Sequence, residues 1–140
     1  MVAVEGGLKT ASGEIFNDLP DRISDLIIFV AMGFAAVPNQ TSHPEIWLQA
    51  GWAAASLAVL TAYIRYLGAG CGAGHFFIGP MAKQHRMAIT IGATLSGILA
   101  EPLILPLGAS YRIALILVIV GSLITCIRRT FKIIDTLESK

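Results

Sequence analysis

Four apolar stretches, separated by short polar connections, divide the chain. Segment A runs from Glu14 to Val37. It opens on an acidic end, "GEIFNDLPDRISD", and continues without a charge through "LIIFVAMGFAAV". Segment B runs from Ile46 to Tyr66, segment C from Met87 to Leu105 with "EPLILP" interrupting its end, and segment D from Tyr111 to Ile127. Each reaches the roughly 17–25 residues that a helix needs to cross a ~30 Å hydrocarbon core. Backbone groups in lipid must be satisfied internally, and no segment alternates strictly as a membrane-barrel strand does. The pattern predicts an all-α integral membrane protein, a bundle of four transmembrane helices forming a single membrane domain.

Composition narrows the class in the same direction. Of 140 residues, 55% are hydrophobic and 14% charged, and the mean hydropathy is +0.72. A soluble domain carries about a quarter charged residues, so this chain has too few to cover a water-facing surface. Ten Lys and Arg against nine Asp and Glu leave a net charge of +1. That balance lacks the basic footprint of a nucleic-acid partner. Cys71 and Cys126 fit no metal-ligand spacing and build no disulfide framework. The start, "MVAVEGGLKTASGE", has no basic region followed by an apolar one, so it does not read as a secretory signal.

The connections predict orientation. The A–B loop "PNQTSHPE" contains no Lys or Arg, whereas the B–C connection carries Arg65, Lys83 and Arg86, and the tail carries Arg128, Arg129 and Lys132. By the positive-inside rule the B–C connection, the C-terminus and the acidic start of segment A face the cytoplasm. Arg112 falls on the opposite side as the discordant charge. Segment B contains "AGWAAAS", small residues that let membrane helices approach closely. The loop "LGAGCGAGHFFIGP" is rich in glycine, but no Lys-Ser/Thr follows, no G-x-G-x-x-G register fits and no strand precedes it. It reads as a flexible re-entry from the membrane, with "HFFI" at the interface.

The acidic end of segment A admits two readings. Asp18 suits a helix N-cap, with Pro20 in the first turn and Asp21 three residues on, where acids favour the helix dipole. Yet Glu14, Asn17, Asp18, Asp21 and Asp25 recur at three and four residues, which on a helix makes one stripe. Asp25 lies beyond a first turn, and ionisable groups at membrane depth usually face a protein interior or a wet cavity. Carboxylates converging there repel one another unless a cation neutralises them. Hard cations such as Mg²⁺ take oxygens from carboxylates and substrate phosphates. The stripe is therefore a candidate metal site for a phosphate-bearing substrate.

The spacing resembles that of the CDP-alcohol phosphatidyltransferases, membrane enzymes that move a phosphatidyl-type group from a CDP-linked donor to an alcohol and release CMP. Their signature is D-x-x-D-G-x-x-A-R, eight residues, then G-x-x-x-D-x-x-x-D. Ala3, Gly13 and Asp21 match it, Val4 stands in place of the arginine and Asn17 in place of an aspartate; "DRISD" continues in the family's manner. The resemblance implies that the first half of the signature falls before Met1. It also implies that the four segments correspond to helices three to six of a six-helix fold. It further implies Asp21 as catalytic base, Asn17, Asp18, Asp21 and Asp25 as ligands of Mg²⁺ or Mn²⁺, and Gly13 at the substrate. A CDP-linked lipid donor, a small alcohol acceptor and a homodimer in the bilayer are expected with it. Asn17 can offer a metal an oxygen but adds no charge.

A second polar cluster, "GPMAKQHR", supplies Lys83, His85 and Arg86. Lys83 and Arg86 either hold the diphosphate of the donor or an acidic acceptor, or anchor segment C at the interface. His85 has no second ligand at metal spacing, His43 lies in the outer loop, and Glu101 before Pro102 marks the exit from lipid. The enzyme reading in phospholipid biosynthesis stands against a non-catalytic membrane remnant or helix-packing interaction protein that has lost part of its site. A small transporter fits less well, because its polar groups belong near the midplane of broken helices.

Overall fold

The computed structural model describes residues 13–38 and 42–139, and the described chain is all-helical. Four helices follow in order: α1 (Gly13–Ala35), α2 (Pro44–Gly70), α3 (Lys83–Leu99) and α4 (Ala109–Glu138). α1 lies against α2, α2 against α4, and α3 against α4. Each apolar segment thus becomes one helix, with shifted ends. α1 is already helical at Gly13, so Asp18 and Pro20 lie inside it. The reading of Asp18 as an N-cap is corrected accordingly.

The other boundaries have local causes. α2 extends past Tyr66 to Gly70 and stops at a left-handed glycine: Gly72 has φ 81°. Its N–H donates to Ala69 O at 3.0 Å, and the next N–H, of Ala73, donates to Gly68 O at 2.9 Å. This pair of bonds satisfies the last carbonyls of the helix. α3 begins at Lys83, four residues before the apolar run, and the Arg86 N–H closes its first turn by donating to Ala82 O at 3.2 Å. It ends at Leu99, since Pro102 has no N–H and disfavours helical backbone at Glu101. "EPLILP" is a turn in which Leu103, Ile104 and Leu105 all donate to Ala100 O. α4 runs eleven residues past Ile127, its charged end continuing the helix beyond the apolar part.

Two helices, α2 and α4, are long and apolar enough to cross a membrane by length and composition. α1 keeps Asp18, Asp21, Arg22 and Asp25 within its helical span. α3 has 17 residues, about 26 Å at 1.5 Å per residue, which is short of a ~30 Å core. The distribution of side chains is inverted relative to a water-soluble bundle. The buried core is built largely of small residues, Ala36, Ala54, Ala55, Ala58, Ala93 and Ala114, around Phe29, Met32, Leu115 and Val118. The outer faces of α3 and α4 are large and apolar, among them Ile91, Leu95, Ile98, Ile116, Leu117, Val120 and Leu123.

The small residues of "AGWAAAS" do what their size predicts. Gly51, Ala54 and Ala55 are buried, and Gly51 meets Gly33 of α1 backbone to backbone. A Cβ on Gly51 would lie 2.8 Å from Phe29 O and 2.9 Å from Gly33 Cα. Neither neighbour is a side-chain end that can swing away. Gly51→Ala is therefore expected to destabilise the protein by about 1–3 kcal/mol through overpacking, read as a lowered thermal midpoint in detergent. Ala53→Gly, on the exposed side of the same turn, serves as a control and should cost only helix propensity, about 1 kcal/mol.

Glu101 has a structural role that its sequence position does not announce. It is buried, and its Oε2 accepts the Gly108 N–H and its Oε1 the Ser110 N–H, both at 2.8 Å. These are orphan donors at the start of α4. Gly108 sits at φ 79°, where a Cβ would lie 2.9 Å from Ala36 O, and Arg112 Nε donates to that oxygen at 2.9 Å, so the start of α4 is tied to the end of α1 as well. Burial alone would raise the Glu101 carboxyl, but the bonds from Gly108 and Ser110 and the Arg112 charge outweigh it and hold the group below the ordinary carboxylate range. Its contribution to stability is full above the ordinary glutamate value of about 4.3. It is lost as pH falls through the lowered folded value. Thermal midpoints measured from pH 6 down to pH 3 should therefore fall most below about pH 4.3. Glu101→Gln should flatten that fall.

Candidate functional site

The acidic stripe and the basic residues of the α2–α3 region meet at one end of the bundle. Asp18, Asp21 and Asp25 come from α1, Arg65 from α2, Lys83 and Arg86 from α3, and Arg129 from α4. Spacings of three and four residues on α1 place the acids on one stripe. Helix packing then sets a base opposite each. Asp18 Oδ1 accepts from Arg65 Nη2 at 3.0 Å, and its Oδ2 faces Arg22 Nε at 3.6 Å. Asp21 pairs with Lys83. Asp25 Oδ2 accepts from Arg86 Nη2 at 2.8 Å and lies 3.4 Å from Arg22 Nη1.

The three pairs differ in depth. Asp25 and Arg86 are 3% and 2% exposed, so their pairing is sealed in the core. The side chain of Asp21 is 31% exposed and that of its lysine 47%. Asp21 is thus the most accessible carboxylate of the stripe among the described residues, and it is held by a single flexible ammonium.

Threonines tie the deep part of the cluster to α2 and α4. Thr61 Oγ1 donates to Ala58 O at 2.8 Å and accepts from Arg86 Nη1 at 3.3 Å, and Thr61 O accepts from Arg129 Nη1 at 2.7 Å. Arg86 Nη1 also donates to Met81 O at 3.1 Å, while Arg129 Nε donates to Ile78 O at 2.9 Å. Met81 N donates to Thr125 Oγ1 at 3.0 Å. The α2–α3 connection is therefore pinned onto α4 at Ile78 and Met81, which corrects its reading as a flexible loop along that stretch. Arg129 is buried, and among the described residues its bonds go to backbone carbonyls. Arg22, Arg65, Lys83, Arg86 and Arg129 together outnumber the three aspartates they surround.

The cations that neutralise the stripe are side chains of the protein. Among the described residues, no group of three or more His, Cys, Asp or Glu side chains comes together to hold a metal ion. A divalent cation on Asp18, Asp21 or Asp25 would have to displace Arg65, Lys83 or Arg86, so the arrangement as it stands does not fit one. The side chains of Glu14 and Asn17 lie outside the described residues, as do Ala3 and Val4. Gly13 is the first described residue of α1. His85 is exposed and away from these pairings, and His43 Nδ1 faces Glu45 Oε1 at 3.1 Å near the start of α2.

Beside the cluster, Arg65 also lies under two aromatic rings, 4.7 Å from the Tyr66 centroid and 5.2 Å from that of Phe77. A cavity of about 450 Å³ opens between α1 and α2, lined by Asp18, Arg22 and Tyr66 at its polar side and by Leu19, Val59 and Ala62 at its apolar side. The sequence names Arg65 and Arg129 only as charges that set orientation, and it gives Arg22 and Thr61 no role. Of these, Arg22 has a local signal, standing four residues after Asp18 and three before Asp25 on the same stripe. No family model, curated protein or solved structure matches this chain.

Proposed function

We propose that the four helices are embedded in a membrane with the charged cluster at its cytoplasmic edge, and that the cluster carries transfer of a phosphatidyl-type group from a CDP-linked lipid to an alcohol. The carrying observation is an accessible carboxylate, Asp21, in a cluster where guanidinium and ammonium groups exceed the carboxylates. The inverted distribution of apolar side chains and the Lys and Arg bias of the connections support the placement. The resemblance of Gly13, Asp21 and "DRISD" to the CDP-alcohol phosphatidyltransferase signature supports the chemistry.

In this reading Arg65 and Lys83, the more exposed bases of the cluster, hold the donor's phosphates, while the buried Arg86 and Arg129 keep the cluster's charge positive. Asp21 leaves Lys83 and accepts the proton of the acceptor hydroxyl as it attacks phosphorus, a general-base step. The lipid phosphate gains the alcohol oxygen, and the bond to CMP breaks. Asp25, sealed by Arg86, positions the stripe and takes no proton.

A second reading has its own observation. Each described aspartate already has a basic partner, which suits an ion-pair clamp in a non-catalytic helix-packing protein. Purified protein in liposomes, given CDP-diacylglycerol with glycerol phosphate, inositol or serine, separates the two. CMP release in the presence of Mg²⁺ or Mn²⁺, dependent on one of the acceptors, supports transfer. No release with any acceptor, from protein of unchanged thermal stability, leaves the clamp.

A further inference from the structure

We infer that Phe77, backed by Arg65 and extended by His75, is the seat for a nucleobase, and that it fixes the cytidine end of the donor; this rests on the transfer reading above. The α2–α3 connection presents Phe77 between fixed points. On its C-terminal side, Ile78 O is held by Arg129 and Met81 N by Thr125. On its N-terminal side, Ala73 N is bonded back to Gly68 O. The substituent-free positions Gly79 and Gly121 allow this close seating: a Cβ on Gly79 would strike Thr125, and one on Gly121 would strike Met81. Phe77 is nevertheless 69% exposed.

Phe77 is thus a large aromatic ring on an anchored stretch of backbone, with most of its surface open to a ligand. Its other neighbours are already placed. The Arg65 guanidinium lies 5.2 Å from its centroid, and the His75 ring lies 6.5 Å away at an interplanar angle of 27°, a stacked arrangement. His75 in turn meets Tyr66 edge-on at 6.0 Å. The result is a plate of two rings with a cation against it. Flat π-systems stack on such plates with little regard to their edges, and Arg adds a cation–π contribution.

The plate adjoins the charged cluster through one residue. Arg65 both contacts Phe77 and donates to Asp18. A ligand with a flat base at one end and phosphates at the other would span from Phe77 to Arg65 and the charged cluster beyond it. That description fits a nucleotide. A lipid headgroup would use the cations and leave the plate without a function.

Calorimetric titration of the full chain in detergent, with CMP and with inorganic pyrophosphate as separate probes, tests the seat. Phe77→Ala should weaken CMP binding about tenfold, as loss of one base–aromatic stack does, and leave pyrophosphate binding unchanged. Phe77→Trp should keep CMP binding and show quenching of its fluorescence on saturation. Unchanged CMP binding in Phe77→Ala overturns the seat and leaves the transfer reading standing. Equal loss of both probes overturns it as well, making Phe77 an interfacial anchor that merely places the connection. Failure of the unaltered chain to bind CMP at all removes the transfer reading and the seat with it.

Discussion

Arg86→Ala is expected to lower stability by about 3–5 kcal/mol, the usual cost of leaving one member of a buried ion pair alone. Asp25 would remain 3% exposed with its 2.8 Å partner gone. Arg22, at 3.4 Å, would compensate in part. The same change strips Thr61 Oγ1 and Met81 O of a donor, so α1, α2 and the start of α3 lose their common fastening point. A chemical denaturation series in mixed micelles gives the free energy directly. The informative comparison is Asp25→Leu combined with Arg86→Met. Removing both charges leaves nothing unpaired, and such replacements are often neutral or stabilising. A double variant as unstable as Arg86→Ala would show that packing, and not the stranded carboxylate, sets the cost.

Asp21→Ala is expected to reduce CMP release by about 10²–10⁴-fold, the range a positioned general base contributes. Stability should change little, because the Asp21–Lys83 pair is partly exposed and such pairs are worth about 0–1 kcal/mol. The opposite pattern is expected of Asp25, whose loss should unfold the cluster before it affects any chemical step. Rates per folded molecule, with the folded fraction measured by size exclusion, separate the two. Activity that survives Asp21→Ala would remove Asp21 from the reaction.

The acidic stripe was legible because its spacing is a local property of one helix. Its partners were not. Arg65, Lys83 and Arg86 were visible as basic residues of one connection, and the positive-inside rule explains them without any acid. Only the packing of α1 on α2, and of α3 and α4 across the connection, brings each base to its aspartate. Three carboxylates on one face do call for cations, but sequence does not say whether side chains or a metal ion supply them. Arg129 was hidden among Arg128 and Lys132, identical in kind and adjacent in sequence, and helical phase alone decides that Arg129 turns inward. Helix ends were legible where a single residue stops the helix, as Gly72 does, and were misplaced where hydropathy was used as a proxy for helix. α4 continues through Arg128 to Glu138 because charged residues form helix as readily as apolar ones outside lipid. Glu101 was read as an exit marker, since a buried acid that serves the N–H groups of Gly108 and Ser110 has no fixed sequence spacing to reveal it.

The unequal lengths of α3 and α4 bear on where such a bundle can reside. α3 has 17 residues and α4 has 30, about 26 Å against about 45 Å along their axes. The apolar part of α4, Tyr111 to Ile127, is itself 17 residues, so in a bilayer both helices would offer the hydrocarbon about 26 Å, and the charged end of α4 would stand outside it. A bundle of that reach would suit thin hydrocarbon layers, with thicker ones costing a fraction of a kcal/mol per Å of mismatch. Lipid chain length would then control how its charged end is presented to the water.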